Sequence, residues 1–226
     1  MTFSPVTHVI FDMDGLLLDS EKGYDKIISS IASKYGKEYT HEVHMKILGT
    51  PEQETVRLAV ELMELPITKE EFFQQYKVKI QEELKHPPLF AGAERLLKHL
   101  HKHKVPFALA TSSSNEATEL KTSHYKELFG LFLHKVMGSS DPEVKKGKPH
   151  PDIYLVCASR FPDKPSPSNC LVFEDAPNGV KGALAAGMQV VMVPAPEVEE
   201  ELRKPATLVL NSLTEFKPED FGLPAF

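Results

Sequence analysis

The chain has 226 residues, of which 41% are hydrophobic and 26% charged, and its formal net charge is -6. This length fits one core domain with a smaller insertion, and the composition is that of a folded globular protein. Because nucleic-acid binding usually begins at a basic surface, the negative charge argues against a nucleic-acid partner. The two cysteines, Cys157 and Cys170, form no C-x-x-C motif, so neither a disulfide framework nor a common zinc site is expected.

The N-terminal segment, residues 1–8, lacks the positive start and the long apolar stretch of a secretory signal. No later apolar run approaches the length that a membrane span needs. The sequence therefore predicts a cytoplasmic protein without a membrane partner.

Six short apolar runs, rich in β-branched or aromatic residues, are typical of buried parallel strands. They cover residues 6–11, 105–110, 135–137, 170–173, 189–193 and 207–210. Helix-like segments separate most of these runs, which predicts an α/β fold.

A long helical stretch interrupts this alternation between the first two predicted strands. Residues 20–85 show helical periodicity and contain no convincing strand. Pro87-Pro88 then ends the helical region just before the chain returns to the sheet. We place a core domain at 1–19 and 88–226 and an inserted α-helical cap domain at 20–87.

Two capping patterns mark helix starts within the cap. Thr50-Pro51-Glu52-Gln53 predicts a helix with Thr50 as its N-cap and Pro51 at its first position. The T-x-x-E pattern from Thr68 to Glu71 predicts a capping box.

Four polar segments come after predicted strands, where ligands collect in open α/β sheets. The first is Asp12 and Asp14, and Gly15 after them lets the chain turn sharply and expose both carboxylates. One carboxylate could attack a substrate while the other handles protons. The second is Thr111-Ser112-Ser113-Ser114, where hydroxyls and free amides at a helix start suit a phosphate.

The third segment, Gly147-Lys148-Pro149, offers a lysine that can neutralise charge on a phosphoryl group. The fourth, Glu174-Asp175, ends an apolar strand, and hard carboxylate oxygens at such a place indicate Mg²⁺. Taken alone, an Asp after a strand is equally typical of a turn or a helix cap. Thr111 alone is more typical of an N-cap, and Lys148 alone of a solvated surface charge. Together, in this order, the four segments supply every part that metal-assisted phosphoryl transfer needs.

Asp12-Met13-Asp14-Gly15, Thr111, Lys148 and Glu174-Asp175 resemble the four motifs of the haloacid dehalogenase superfamily, in order and over nearly the whole chain. The resemblance implies a Rossmann-like parallel sheet with a helical cap inserted after the first motif, in agreement with the helical stretch. It also implies that Asp12 is a nucleophile that forms an aspartyl-phosphate. Asp14 would protonate the leaving oxygen and then activate water.

The same resemblance implies the remaining contacts of the phosphoryl group. Thr111 would hold a phosphoryl oxygen, with Gly15 and Ser112 also at the phosphate. Lys148 would tie the nucleophile to the phosphoryl group.

The cofactor implied by the resemblance is Mg²⁺. It would sit on Asp12, the backbone carbonyl of Asp14 and Asp175, with Glu174 assisting. Carboxylates at this density would repel a phosphate without such a cation.

Within the superfamily, individual residues favour some branches over others. Asp14 supplies an acid that phosphate-ester chemistry uses and dehalogenation does not. The D-K-T-G motif and membrane helices of P-type ATPases are missing from the sequence. The β-phosphoglucomutase branch holds a second phosphate with an arginine shortly after a cap glycine. Here Gly49 is followed by Glu52, whose charge would repel that phosphate, so a phosphomutase is the alternative to a hydrolase.

Residues 107–113, 141–144, 170–180 and 221–224 resemble the pseudouridine-5'-phosphatase group. This implies a small phosphorylated metabolite as substrate, a nucleoside 5'-monophosphate such as pseudouridine 5'-phosphate. A sugar phosphate or glycerol phosphate would equally satisfy the core. The candidate substrate contacts in the cap are Glu21, Lys46 and Glu52.

Two further expectations concern the protein as a whole. A catalytically silent binding module is the alternative from another class, although every catalytic position is filled. A cap that must open and close favours a free cap face, so we expect a monomer.

Overall fold

A computed structural model describes residues 3–226, except for the side chain of Glu21, and contains a six-stranded sheet whose strand pairs are all parallel. The spatial order of the strands is β3-β2-β1-β4-β5-β6. They are β1 His8–Phe11, β2 Phe107–Thr111, β3 Lys135–Met137, β4 Cys170–Glu174, β5 Gln189–Met192 and β6 Leu208–Val209. The predicted α/β fold is confirmed, and each predicted run overlaps one of these strands.

Helices surround the sheet and form the segment between β1 and β2. In that segment lie α1 Glu21–Lys34, α2 His41–Ile47, α3 Glu52–Leu62 and α4 Lys69–Glu83, followed by α5 Ala93–Lys102. After β2 come α6 Asn115–Thr122, α7 Lys126–Phe129, α8 Asp152–Ser159, α9 Pro177–Ala185 and α10 Glu200–Arg203. Within residues 3–226, three short 3₁₀ helices cover Pro167–Asn169, Leu213–Glu215 and Pro218–Phe221.

The central strand β1 is buried on both faces because its side chains alternate between two apolar clusters. Val9 and Phe11 belong to a cluster that includes Leu96 and Leu97 of α5. Ile10 points the other way, into a cluster that includes Tyr154 of α8. This double burial explains why the strand is a continuous apolar run.

Helices α1–α4 enclose an apolar cluster of their own, built around Ile27, Ile31, Phe72 and Tyr76. Where the chain leaves and re-enters the sheet region, Asp19 N–H donates to the Pro88 carbonyl at 2.8 Å. The predicted domain boundaries stay a prediction. We refer to α1–α4 as the cap.

One of the two predicted capping patterns is confirmed. Thr68 and Glu71 form a capping box at the start of α4. The prediction for Thr50 is wrong, because α3 begins at Glu52 with Pro51 as its N-cap. The Thr50 hydroxyl instead donates backwards to the Ile47 carbonyl, at 2.6 Å, at the end of α2.

None of the helices over residues 3–226 combines the length and the apolar character that crossing a bilayer demands.

Candidate active site

The candidate site lies where the carboxyl ends of β1, β2 and β4 meet. Phe11, the last residue of β1, is in register with Leu109 of β2 and with Phe173 of β4. The next residue, Asp12, donates its backbone N–H to the Phe173 carbonyl at 3.0 Å. Parallel pairing therefore brings Asp12, Thr111 and Glu174 together, although 162 residues separate the first from the last.

Lys148 joins two of these strand ends. Its amine donates to Oδ1 of Asp12 at 2.5 Å, to Oε1 of Glu174 at 2.6 Å and to the Ala110 carbonyl at 3.3 Å. The lysine is 5% exposed and lies in the segment between β3 and α8. Tyr154 of α8 donates its hydroxyl to the same oxygen of Glu174. Lys148 is thus a buried cation held between two carboxylates.

The charged groups in this cluster shift one another's pKa values. Burial raises the pKa of Asp12 to about 7, with Lys148 opposing the shift and Glu174 and Asp14 adding to it. Burial disfavours the charged amine of Lys148, but Asp12 and Glu174 outweigh it and hold the pKa of Lys148 well above its usual range. Lys148 therefore stays protonated, while proton occupancy at Asp12 depends on what else binds there.

Asp12, Glu174 and Asp175 each place a carboxylate oxygen within 4.8 Å of the others. All three are buried, and oxygen donors of this kind suit a hard divalent cation such as Mg²⁺. Oε2 of Glu174 accepts the backbone N–H of Asp175 at 3.2 Å, which orients the group. The residues present fit a metal. The side chain of Asp14 does not belong to this group.

Asp14 faces a second, separate network. Its Oδ1 accepts from the Ser20 hydroxyl at 2.5 Å, and its Oδ2 accepts from the Ser113 hydroxyl at 2.9 Å and that of Thr111 at 3.4 Å. The Lys121 amine donates to both oxygens, at 2.6 and 2.7 Å. Burial opposes ionisation of this carboxyl, but Lys121 and the hydroxyls more than offset burial and lower the pKa of Asp14.

Sequence reasoning missed Lys121, which lies in the last turn of α6 and has 0% exposure. A basic residue near the C-terminal end of a helix is ordinarily interpreted as solvent-exposed. The buried positions Ala117, Thr118, Lys121 and Thr122 follow the spacing of one helix face, but only Ala117 among them is apolar, so the sequence carries no clear sign of this burial. A lysine on the inner face of a helix needs a buried partner.

The hydroxyl segment after β2 forms the start of α6. Ser114 is the N-cap, and its hydroxyl accepts the Ala117 N–H at 3.2 Å. Thr111 accepts the Ser113 N–H at 3.1 Å, so its hydroxyl is fixed beside Asp14. Ser112 donates to the Gly49 carbonyl at 3.4 Å, which links this segment to the loop between α2 and α3.

A cavity lies between the cap and these strand ends. Its core wall contains the residues described above, namely Asp12, Asp14, Thr111, Ser112, Ser113, Ser114, Lys148, Glu174 and Asp175. Its cap wall combines aromatic, aliphatic, acidic and small polar residues, namely Tyr24, Asp25, Ile28, Tyr39, His44, Ile47, Leu48, Gly49, Thr50, Glu52, Thr55 and Tyr76. In the described part of the chain, Lys148 is the one lysine or arginine that lines it. A wider cleft adjoins the cavity and shares Asp25, Tyr39, His44, Leu48 and Asp175 with it.

Only some of the residues predicted to contact the substrate line the cavity. Glu52 lines the cavity, and burial raises the pKa of its carboxyl. Lys46 instead pairs with Glu42 at 2.6 Å on an exposed helix face. Gly15 lines the wider cleft and donates its N–H to the Leu18 carbonyl. The side chain of Glu21 lies outside the described residues.

Comparison with known proteins gives this arrangement a family. Residues 9–193 match the family model described as haloacid dehalogenase-like hydrolase. The chain belongs to this family.

Two similar relatives of this hydrolase are named as phosphatases. It is 54% identical to a Drosophila melanogaster protein named "probable pseudouridine-5'-phosphatase", over 98% of this chain and 96% of the relative. It is 43% identical to (DL)-glycerol-3-phosphatase 2 of Arabidopsis thaliana, over 98% of this chain and 93% of the relative. The hydrolase is accordingly a phosphatase of the haloacid dehalogenase family.

A solved structure has the same fold. The crystal structure of β-phosphoglucomutase from Clostridium difficile superposes with a TM-score of 0.74 at 21% identity, over 96% of this chain and 97% of the other. This likeness extends across both the sheet and the cap of the hydrolase.

Proposed function

We propose that the phosphatase hydrolyses a nucleoside 5'-monophosphate such as pseudouridine 5'-phosphate, through an aspartyl-phosphate on Asp12 and with Mg²⁺ as cofactor. The supporting observation is the buried contact from Lys148 to Asp12 and Glu174, beside Asp175. It combines a nucleophile, a fixed cation and carboxylate metal ligands at one sheet edge. We further expect a monomer that acts in the cytoplasm.

The reaction divides between two carboxylates. An oxygen of Asp12 attacks phosphorus, and the bond to the ester oxygen breaks as Asp14 gives that oxygen a proton. Water then attacks the acyl phosphate while Asp14 takes a proton from it, which releases inorganic phosphate and restores Asp12. Lys148 would offset negative charge beside the nucleophile, and the Thr111 hydroxyl would donate to a phosphoryl oxygen.

Mg²⁺ would be held by Asp12 and Asp175 with the Asp14 carbonyl, and with Glu174 supporting. When bound it would supply positive charge that lets an anionic phosphate approach three carboxylates.

The cap wall supports a substrate with one phosphate and a flat, uncharged group. Three tyrosines, Tyr24, Tyr39 and Tyr76, line the cavity together with the carboxyl groups of Asp25 and Glu52. This mixture of aromatic rings and acceptors suits a base that carries N–H and O–H donors. A second phosphate would meet these acidic groups without a lysine or arginine among the described lining residues of the cap. This disfavours the phosphomutase alternative.

A glycerol or sugar phosphate is the second candidate, favoured by the 43% identity to (DL)-glycerol-3-phosphatase 2. A panel of pseudouridine 5'-phosphate, uridine 5'-monophosphate, glycerol 3-phosphate and glucose 6-phosphate separates these candidates. We expect the highest kcat/KM for pseudouridine 5'-phosphate. A preference for glycerol 3-phosphate would replace the substrate part of the proposal, and a phosphorylated isomer without free phosphate would favour the mutase.

Asp12→Asn tests the mechanism. With Mg²⁺ present, this variant should lose about 10⁴-fold or more of kcat, because its amide is a poor nucleophile. Asp163→Asn is the matched control, since Asp163 is 67% exposed and pairs with His8 at the opposite end of β1. Acid quench should trap phosphorylated protein in the parent enzyme and not in the Asp12 variant. Unchanged turnover after Asp12→Asn, or after thorough chelation, would remove the proposal.

A further inference from the structure

Lys121 is a buried cation that the reaction described above does not use. Its side chain has 0% exposure, and its amine contacts four oxygens. Two belong to Asp14, at 2.6 and 2.7 Å, one to Ser113, at 2.7 Å, and one to Tyr24, at 2.8 Å. The lysine is therefore committed to one carboxylate and to the hydroxyls around it.

Stability alone does not account for this lysine. A buried ion pair adds little net stability compared with apolar side chains of similar volume, because both charges lose their hydration. The pair nevertheless fixes geometry. Lys121 contacts both oxygens of Asp14, while Ser20 and Ser113 each donate to one of them. These contacts restrict both the position and the plane of the carboxylate.

The network also connects the core to the cap. Lys121 belongs to α6, whereas the Tyr24 hydroxyl that accepts from it belongs to α1. The Tyr24 ring lines the cavity between the two parts. A group that holds Asp14 thus also contacts the wall that faces the leaving group.

We propose that Lys121 is a positioning residue that holds Asp14 for proton transfer to the leaving oxygen. The inference rests on the proposed function, in which Asp14 is the proton donor. Fixed geometry matters here because proton transfer requires hydrogen-bond reach of the ester oxygen.

The proposal predicts a dependence on the leaving group. A nucleoside leaves as an alcohol and needs a proton, whereas p-nitrophenolate leaves readily without one. The ratio kcat/KM covers the steps up to transfer of the phosphoryl group to Asp12, so it excludes the later hydrolysis of the acyl phosphate. A defect in Asp14 positioning should therefore lower kcat/KM much more for a nucleoside monophosphate than for p-nitrophenyl phosphate.

Lys121→Met provides the test, because methionine has a similar length and no charge. With saturating Mg²⁺, we expect kcat/KM for uridine or pseudouridine 5'-phosphate to fall about 100-fold relative to the fall for p-nitrophenyl phosphate. If Lys121 had a merely structural role, the substitution would lower kcat/KM equally for both substrates. Lys98→Met, an exposed lysine paired with Glu94, is the control and should change neither.

Ser113→Ala is a milder second variant, used in case Lys121→Met does not fold. It removes one hydroxyl that contacts both Asp14 and Lys121, and the same ratio should shift about tenfold. An equal loss for both substrates in the folded variants would overturn the role of Lys121 while leaving the phosphatase proposal intact. A parent enzyme that hydrolyses neither substrate would overturn both.

Discussion

The amine of Lys148 lies 2.5 Å from Oδ1 of Asp12, and both side chains are almost fully buried. The same amine contacts Glu174, so one cation stabilises two carboxylates that are both largely buried. Such an arrangement depends on all its members, because removing the cation leaves two buried negative charges without their partner.

Replacement of this lysine should therefore destabilise the protein as well as inactivate it. For Lys148→Met we expect the free energy of unfolding at pH 7 without metal to fall by about 3–5 kcal/mol. Urea denaturation measures this value. Added Mg²⁺ should recover part of the loss, since its proposed ligands include the same carboxylates. Lys98→Met should change stability by less than about 0.5 kcal/mol, and an equal effect of the two variants would contradict the interpretation.

The parts of the site that sequence reasoning could predict share one property. Asp12, Thr111 and Glu174 come directly at or after buried strands, and the carboxyl ends of neighbouring parallel strands must meet. Their convergence follows from strand order alone. Apolar runs and motif positions were therefore sufficient for the sheet and for the placement of these side chains.

The parts that could not be predicted depend on helix rotation and on side-chain partners. Lys121 reaches Asp14 across 107 residues because α6 turns that position inwards, which a basic residue at a helix end does not indicate. Lys46, expected at the substrate, pairs locally with Glu42 instead. Thr50 bonds back to α2 rather than capping α3. In each case a nearby polar partner decided the outcome.

Metal binding should depend on pH. Burial raises the pKa of Asp12 to about 7, so below that pH the metal-free carboxyl holds a proton that Mg²⁺ must displace. We expect the apparent affinity for Mg²⁺ to fall by up to about tenfold per unit below pH 7 and to level off above it. Thermal shift or calorimetric titration with Mg²⁺ between pH 5.5 and 8.5 measures this. An affinity independent of pH would contradict the raised pKa.

Gly179 provides a test of Glu174 without altering a charged residue. A Cβ at this position would lie 2.0–2.2 Å from three atoms of the Glu174 carboxylate, so Gly179→Ala must displace that side chain. Alanine favours a helix by about 1 kcal/mol over glycine, so α9 itself should not weaken. We expect a higher Mg²⁺ concentration at half-maximal activity and at least about tenfold lower kcat/KM. Lys181→Ala in the same helix is the control, and equal Mg²⁺ requirements would show that Glu174 moves without consequence.

Gly147 provides a corresponding test of the contact between core and cap. A Cβ on Gly147 would lie 2.1 Å from Cγ and 3.1 Å from Cδ of Pro51, the N-cap of α3. Gly147→Ala must therefore shift either the cap or the segment that carries Lys148. Since misplacement by about 1 Å can cost roughly 100-fold in rate, we expect a loss of kcat/KM on that order.

The same contact allows a double-mutant cycle that isolates the clash. Pro51→Ala removes Cγ and Cδ, so Gly147→Ala in that background meets little more than the Pro51 Cβ position, at 3.4 Å. The second substitution should then cost much less than it does alone, and the coupling free energy should exceed about 1 kcal/mol. Steady-state kinetics of the four proteins measures it. Additive effects would mean that the position of α3 against the core does not govern activity. The loss of kcat/KM would then arise within the segment that carries Lys148.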